Sequence, residues 1–263
     1  MKQKKIPTIL IIAGSDSGGG AGIQADIKVA SYFKVFATTA VTAVTAQNTL
    51  GVQSIFPIPE IEIQKQLRSV IGDLAPDLIK IGMLGTKEVV DCVAQEILPN
   101  KIILDPVMVA TSGDKLVDEG CIEGIKEKLV PNSYLVTPNS FEAEILSGKK
   151  ISSIEDQEYA AKEIKNLGAE NVLVKGGHLH EGKNLVDILV DETGKSRQFK
   201  SQRIDSNNTH GTGCALSTAI ASSVAKGIAL EKAITDSISY VQRGIKNAPN
   251  LGSGNGPLMH FDV

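Results

Sequence analysis

A glycine-rich segment late in the chain carries the residues with the clearest chemical potential. Asn208–Cys214 reads Asn-Thr-His-Gly-Thr-Gly-Cys and stands directly before a run with apolar residues at helical spacing. The backbone amides of Gly211, Thr212 and Gly213 would then lie at a helix N-terminus, where they stabilise negative charge. Cys214 at the helix start is expected to have a lowered thiol pKa, and it could accept a proton from a substrate hydroxyl or position that hydroxyl. The segment therefore predicts an oxyanion site suited to phosphoryl transfer.

Three oxygen-donor side chains and a lysine, each placed just after an apolar run, could hold a metal and phosphate groups. Asp105 ends one such run, Asn139 and Glu142 follow another, and Lys175 ends a third. Carboxylate and amide oxygens suit Mg²⁺ that is held partly through water on the phosphates of a nucleotide. The lysine could neutralise phosphate charge. Asn139 and Glu142 also have the spacing of a helix-capping box, and the two roles can coexist.

Other polar or soft side chains occupy the same kind of position. Gln47 follows a β-branched run, Met83 follows residues 79–82, and Gly177 lies two residues after Lys175. The carboxyl ends of parallel strands meet at one edge of a sheet, and ligands bind there. We therefore expect these residues to face one cleft.

A second glycine-rich loop, residues 14–22, lies between a predicted strand and a predicted helix. Its glycines would let the backbone approach a ligand closely, and the helix amides favour an anion. The loop lacks the Lys-Ser or Lys-Thr of a P-loop. It also fails the dinucleotide fingerprint, because Ile23 stands at the sixth position counted from Gly18 and Lys34 stands near the expected acid. A tight strand–helix turn without a ligand is the structural alternative.

Strands that alternate with helices would bring these residues to one edge of a sheet, and the sequence shows this alternation. It is typical of an α/β fold with a central, mostly parallel sheet and helices on both faces. Residues 185–190 and 197–203 flank Asp191-Glu192-Thr193-Gly194, which predicts a small antiparallel hairpin at one edge. The other predicted strands are 9–13, 38–46, 78–83, 101–105, 134–137 and 171–175, and the predicted helices are 21–33, 61–73, 87–97, 118–129, 141–146, 156–167, 214–226 and 230–247.

The composition fits one domain over residues 1–263 and argues against several classes of protein. Hydrophobic residues make up 42% and charged residues 22% of the 263 residues, as in ordinary globular proteins. A formal net charge of −3 without a basic stripe argues against a nucleic-acid partner. The apolar run 9–13 is too short to span a membrane, so we expect a strand and not a signal peptide. Three cysteines without disulfide or zinc spacing favour a reducing cytoplasm.

The loop at 210–214 resembles the Gly-Thr-Gly-Asp anion-hole motif of ribokinase-like kinases, with cysteine in place of the catalytic aspartate. That replacement is the pattern of the branch that contains hydroxymethylpyrimidine and pyridoxal kinases. Nearly the whole chain is similar to the hydroxymethylpyrimidine/phosphomethylpyrimidine kinases of thiamine biosynthesis. The resemblance implies a ribokinase-like fold, use of ATP with Mg²⁺, and a homodimer. The similar segments are 13–26, 45–49, 80–84, 104–108, 137–143, 175–178, 210–214 and 254–258.

The resemblance also implies a role for each matching residue. Asp26 and Gln47 would hydrogen-bond an aminopyrimidine, Met83 and Val107 would line its pocket, and Gly20 would lie in the substrate-binding loop. Cys214 would stand at the hydroxymethyl group of the substrate. The residues expected to hold ATP are Asn139, Lys175, Gly177, Thr209, Gly211 and Gly213, with Thr212 in the same anion loop and Asp105 and Glu142 serving the metal.

Three alternatives remain open at this point. One is a pyridoxal kinase of the same branch, and another is a protein on the same fold that binds a nucleotide or pyrimidine without catalysis. The third is a Cys–His hydrolase that uses His210 and Cys214, which the sequence supports weakly because no third member stands near His210. Turnover with ATP separates an enzyme from a binding protein.

Overall fold

Uninterrupted apolar runs form the centre of the sheet. The computed structural model describes residues 6–110, 113–177 and 184–261. Ile9–Ile12 are fully buried in the first strand, which fits a parallel strand covered on both faces. The strands are β1 Thr8–Asp16, β2 Phe36–Asn48, β3 Gly51–Pro57, β4 Leu78–Ile81, β5 Ile102–Leu104, β6 Leu135–Val136, β7 Asn171–Val174, β8 Asn184–Val190 and β9 Ser196–Gln202.

Helices connect most of the strands, and their ends carry the expected signals. Thr86, Asp118 and Ser153 each cap a helix by accepting a hydrogen bond from a backbone N–H in its first turn. The helix that begins at Glu119 continues as one turn of π-helix through Leu129. The helices are α1 Gly22–Tyr32, α2 Glu60–Leu74, α3 Lys87–Ile97, α4 Glu119–Gly124, α5 Ser140–Ser147, α6 Ile154–Asn166, α7 Thr212–Ala225 and α8 Leu230–Lys246.

The nine strands form one sheet in the order β3-β2-β1-β4-β5-β6-β7-β8-β9. Strands β2, β1, β4, β5, β6 and β7 run parallel, and β8 and β9 form the antiparallel edge hairpin that the sequence predicts. The prediction missed β3, which pairs antiparallel with β2 and forms the other edge. Its side chains are largely exposed, so it lacks the buried alternation by which a strand is recognised.

Alternate residues of β1 face two separate cores, which places helices on both faces of the sheet as predicted. Leu10 and Ile12 belong to a core that α2, α3, α4, α5 and α6 cover. Ile9 and Ile11 belong to the core under α1, α7 and α8. Within the described ranges, no helix is long and apolar enough to cross a membrane.

Candidate active site

A cavity of about 940 Å³ opens at the carboxyl ends of the parallel strands. The loops after β1, β4, β5, β6 and β7 all contribute to its wall, as do the last residues of β2 and the first turn of α7. All predicted site residues line this cavity except Gly20 and Asp26. His178, which ends one of the predicted motifs, lies outside the described residues.

The N-terminus of α7 has the backbone that an oxyanion site requires. Helix α7 begins at Thr212, two residues earlier than predicted, so Thr212, Gly213 and Cys214 form its first turn. Amides in a first turn lack acceptors within the helix. Gly211 caps the helix at φ +81°, and a side chain there would collide with the Gly20 carbonyl. A residue with a side chain is therefore excluded at position 211 by both conformation and contact.

Lys175 lies beside this helix start and carries a buried counter-charge. Its Nζ is 2.9 Å from Asp105 Oδ1, and both side chains are largely buried. A side chain on Gly213 would stand 3.3 Å from Lys175 Nζ, which places the ammonium group next to the first-turn amides. Burial opposes the charge of both groups, but their attraction prevails: the pKa of Asp105 is lowered and the pKa of Lys175 is raised. The site therefore holds a charged cation at neutral pH.

Asn139 and Glu142 form the capping box that the sequence left open as an alternative. Asn139 Oδ1 accepts a hydrogen bond from the Glu142 N–H at 2.9 Å, and Glu142 Oε2 accepts one from the Asn139 N–H at 2.8 Å. Burial and the charge of Asp105 raise the pKa of Glu142 to about 7, although Lys175 opposes the shift. The capping role and a role at the cavity are compatible because both residues also line it.

The thiol of Cys214 contradicts the lowered pKa expected at a helix start. Burial raises its pKa to about 12; the charge of Lys80 opposes this shift, and Asp26 and Asp105 add to it. Cys214 keeps part of its surface at the cavity wall, but protein surrounds the sulfur, and the Gly22 backbone only partly offsets the effect of burial on the pKa. Desolvation of the thiolate outweighs the helix dipole. The thiol is therefore protonated at neutral pH before a ligand binds.

Asp26 and Gly20 lie behind the cavity wall. The Asp26 carboxylate is fully buried, with Lys80 Nζ at 2.9 Å and Thr218 Oγ1 at 2.6 Å. The structure therefore contradicts direct contact between Asp26 and a ligand in the cavity. Gly20 is a packing contact, because a side chain there would meet the His210 ring at 2.4 Å.

One residue that organises the first glycine loop, Asp16, was not among the predicted site residues. Asp16 accepts hydrogen bonds from the N–H groups of Gly18, Gly20 and Ala21, at 2.8, 3.0 and 2.8 Å. Its carboxylate also lies 2.9 Å from His210 Nε2. Burial alone would raise the pKa of Asp16, but its hydrogen bonds outweigh burial and lower the pKa. An aspartate two residues before a glycine run is a turn signal that could have predicted this arrangement.

These bonds also bear on the hydrolase alternative. The ring of His210 is engaged by Asp16, and Gln47 Nε2 lies 3.4 Å from the same ring nitrogen. A cysteine nucleophile needs a thiolate of low pKa, whereas burial holds the pKa of the Cys214 thiol at about 12. The arrangement of His210 and Cys214 therefore gives no support to a Cys–His hydrolase.

The remaining predicted side chains, Gln47, Met83 and Val107, line another part of the cavity wall. Met83 packs over the first glycine loop, since a side chain on Gly14 would lie 3.2 Å from the Met83 sulfur. Gln47 Oε1 accepts a hydrogen bond from Thr45 at 3.1 Å, which orients the amide. Val107 lines the cavity beside Asp105. This part of the wall offers two apolar side chains and one oriented amide, while the α7 start offers a cation and first-turn N–H groups.

The sheet order and an anion site at a glycine-capped helix start define a small-molecule kinase of the ribokinase-like class. The chain matches the family described as phosphomethylpyrimidine kinase over residues 16–259, and it belongs to that family. It is 42% identical over 255 residues to the hydroxymethylpyrimidine/phosphomethylpyrimidine kinase of Bacillus subtilis, covering 96% of this chain and 94% of that protein. The chain is therefore a phosphotransferase.

Two solved structures match the whole fold. The pyridoxal kinase of Staphylococcus aureus in complex with AMP-PCP and pyridoxal is 31% identical with a TM-score of 0.90, covering 98% of this chain and 94% of that one. The phosphomethylpyrimidine kinase of Clostridium difficile 630 is 37% identical with a TM-score of 0.79, covering 90% of this chain and 98% of that one. The fold and the ATP-analogue complex agree with the ribokinase-like class and the use of ATP.

Proposed function

We propose that residues 1–263 form one domain that phosphorylates 4-amino-5-hydroxymethyl-2-methylpyrimidine with ATP and then phosphorylates the monophosphate to the diphosphate. The observation that carries this proposal is the α7 start, where Gly211 and the first-turn amides lie beside Lys175 at the end of a cavity. Oriented donors and a buried cation stabilise the charge that develops during phosphoryl transfer. The oriented Gln47 amide in another part of the wall suits a flat, polar ring.

At the phosphate end of the cavity, a charged side chain and backbone amides would have different roles. Lys175 would balance the negative charge of the phosphates, and the amides of Gly211 and Gly213 would hold the oxygens of the transferred group. Asn139, Gly177 and Thr209 line the same end and would contact the nucleotide. Because the donors are fixed before the reaction, little reorganisation is needed when charge moves to the transferred group.

The acceptor end would hold the pyrimidine between Gln47, Met83 and Val107. The hydroxymethyl oxygen would then point to Cys214, which also lines the cavity. When the oxygen attacks the γ-phosphorus and the bond to the β-phosphate oxygen breaks, the hydroxyl proton has to leave. The Cys214 thiol can position that hydroxyl, and its thiolate fraction can accept the proton.

Mg²⁺ would supply charge neutralisation on the ATP phosphates when it is bound. The carboxylates of Asp105 and Glu142 face the cavity, and oxygen donors are the ligands that Mg²⁺ prefers. Asp105 is already paired with Lys175 and Glu142 already caps α5. The sequence left direct contact and contact through water both open, and contact through water fits these two residues better.

A substrate panel tests the proposal. Purified protein is incubated with ATP and Mg²⁺ and with hydroxymethylpyrimidine, its monophosphate or pyridoxal, and mono- and diphosphate products are separated by chromatography. We expect both pyrimidine steps to turn over. Pyridoxal kinase is a second candidate because the Staphylococcus aureus pyridoxal kinase shares the fold at a TM-score of 0.90. Faster phosphorylation of pyridoxal would favour it, and absence of turnover with every acceptor would favour a binding protein.

Replacement of Gln47 by alanine should weaken pyrimidine binding selectively. The loss of one oriented hydrogen-bond partner in a buried contact costs about 1–3 kcal/mol, so the KM for the pyrimidine should rise roughly 10- to 100-fold. The KM for ATP should change little. Steady-state kinetics with each substrate varied separately makes the measurement, and Gln53→Ala on the exposed face of β3 is the matched control. A collapse of ATP binding instead would show that Gln47 is not on the acceptor side.

Replacement of Glu142 by glutamine should raise the Mg²⁺ requirement while keeping the helix cap. Glutamine can still accept the Asn139 N–H, so the change removes the charge alone. Loss of a group that orients the metal typically costs about 10- to 100-fold in metal affinity, and excess Mg²⁺ should restore part of the rate. Because the pKa of Glu142 is about 7, the wild-type requirement should fall as pH rises from 6 to 8, and the variant should lose this dependence.

The measurement is the Mg²⁺ concentration that gives half-maximal rate at each pH. Glu155→Gln, in the first turn of α6, is the control. A variant that melts at a lower temperature but titrates with Mg²⁺ like the wild type would leave Glu142 with the capping role alone.

We also propose that the protein is a cytoplasmic homodimer that pairs through the β3 edge. Strand β3 ends the sheet and exposes Ile55 and Phe56, and exposed edge strands with apolar side chains are templates for pairing. Phe56→Lys should shift the sedimentation coefficient to that of a monomer. Tyr159→Lys, an exposed aromatic on α6, should leave it unchanged. A wild-type protein that sediments as a monomer at micromolar concentration would contradict the proposal.

A further inference from the structure

A buried ion pair lies beneath the active site and is separate from the phosphate-binding lysine. Lys80 Nζ is 2.9 Å from Asp26 Oδ2, and both side chains are fully buried. Two charges taken out of water cost several kcal/mol each before their attraction is counted. Hydrophobic residues of similar size could fill such a space without that cost. An explanation is therefore needed for why charges are kept at this place.

The pair joins the starts of two helices that meet at Cys214. Asp26 lies one turn after Gly22 on α1, and its Oδ1 accepts a 2.6 Å hydrogen bond from Thr218 on α7. Thr218 in turn lies one turn after Cys214, and the Gly22 backbone N–H acts on the Cys214 sulfur in favour of the thiolate. Residues four apart lie on the same helix face. The place where the first turns approach each other, at Gly22 and Cys214, therefore lies directly beside the contact of the second turns, between Asp26 and Thr218. The two helices are thereby held in one register.

Lys80 brings the cation to this stack from β4. Its Nζ would lie 3.2 Å from a side chain on Gly82, a glycine of the cavity wall. The ammonium group is thus close to the cavity without being open to a ligand. Burial alone would lower the pKa of Lys80, but Asp26, and then Cys214 and Asp105, raise it above its usual value, so we take the pair to be charged.

We propose that Lys80 and Asp26 are positioning residues that hold the α1 and α7 starts together and set the electrostatic field at the Cys214 thiol. The kinetic consequence rests on the proposed kinase function, whereas the effect on the thiol does not. The charged groups that act on Cys214 are Lys80 from β4, Asp26 from α1 and Asp105 after β5, and the thiol in turn acts on Lys175 after β7. Lys80 favours the thiolate, and Asp26 opposes it.

Because Lys80 favours the thiolate and Asp26 opposes it, substitutions of the two residues should change the reactivity of Cys214 in opposite directions. A purely structural role predicts no such opposition. The rate of iodoacetamide alkylation of Cys214 is measured from pH 7 to 10 on the protein without substrates, by mass spectrometry of the peptide that contains Cys214. Asp26→Asn removes the opposing charge and should accelerate alkylation about tenfold, equivalent to one unit of thiol pKa. Lys80→Met removes the favourable charge and should slow it. Lys87→Met, on the exposed face of α3, should leave the rate unchanged.

The expected result is acceleration in one variant and slowing in the other. Changes in the same direction in both variants, or no change in either, would overturn the proposal. If Lys80→Met does not fold, the double variant Lys80→Met with Asp26→Asn replaces it, because it leaves no unpaired buried charge. Alkylation should then be faster in Asp26→Asn than in the double variant, and an equal or slower rate would overturn the proposal.

The effect of the pair on kcat is measured in a separate experiment from the alkylation rate of Cys214. In the pyrimidine kinase assay, Asp26→Asn should lower kcat and leave the KM for ATP nearly unchanged, because the pair acts through Cys214, which is placed at the acceptor hydroxyl. An unchanged kcat would overturn the kinetic part. If the wild-type protein phosphorylates none of the acceptors in the panel, the proposed function fails while the alkylation result still decides the role of the pair.

Discussion

Replacement of Cys214 by alanine should lower kcat by about 10²- to 10⁴-fold, the typical contribution of a group that takes a proton from the acceptor. The KM for ATP should change little, because Lys175 and the backbone amides, and not the Cys214 side chain, are proposed to hold the phosphates. Cys214→Asp supplies a carboxylate, the group of the wider superfamily, and should keep more activity than alanine. Steady-state kinetics of the three proteins gives the ranking.

The pH profile then decides how Cys214 acts. Burial raises the thiol pKa to about 12, so at pH 6 to 9 only a small fraction is thiolate, and that fraction grows tenfold per pH unit. If the thiolate accepts the proton, log kcat of the wild type should rise with pH over this range. The aspartate variant should be flat there, because its carboxyl group is already ionised. A flat wild-type profile with a large alanine effect would mean that the thiol positions the hydroxyl. A fully active alanine variant would assign catalysis to Lys175 and the amides.

Replacement of Gly211 by alanine should lower kcat by roughly 10²- to 10³-fold, the usual effect of losing one donor from an anion site. A side chain at this position would collide with the Gly20 carbonyl, and φ +81° is unfavourable for alanine. The helix start must shift to relieve the collision, and the amides of Thr212, Gly213 and Cys214 shift with it. Single-turnover measurements at saturating ATP would report this loss free of product release.

The opposite end of the same helix provides the control. Gly227 follows α7 at φ +79°, but no atom lies within 4 Å of the place where a side chain would begin. Gly227→Ala should cost about 1 kcal/mol of stability through its backbone conformation and leave kcat unchanged. Equal kinetic losses in the two variants would show that general destabilisation, and not the anion site, explains the effect at Gly211.

The positions of the site residues could be predicted from the sequence because strands impose them. A residue that directly follows a buried parallel strand reaches the cavity edge by geometry, which is why Lys175, Asp105 and Met83 lie where the alternating pattern placed them. The Asn139–Glu142 spacing likewise specified a capping box. Both signals depend only on residues that are close together in the sequence, so they can be recognised without knowledge of the fold.

Properties that depend on packing from distant parts of the chain could not be predicted in this way. Asp26 lies on the second turn of α1, near a helix N-terminus where acids are often solvated, and only the fold brings Lys80 and Thr218 against it. The same buried surroundings reverse the expected shift of the Cys214 pKa. Asp16 gathers donors from its own loop and from His210, nearly two hundred residues away. Desolvation is a property of the assembled structure, so spacing along the chain carries no direct signal for it.

The contact between the first glycine loop and the Gly211 turn has a consequence for synthesis on the ribosome. The loop after β1 emerges early, but its partners His210 and Gly211 arrive late, and His210 pairs in turn with Pro257 near the end of the chain. Closing such long loops slows folding. Nascent chains that end before residue 210 can build much of the sheet but lack the Gly211 turn, Cys214 and the part of the cavity wall that α7 and α8 supply. Activity should therefore appear only after residues 210–257 have left the ribosome exit tunnel, and shorter nascent chains should not consume ATP.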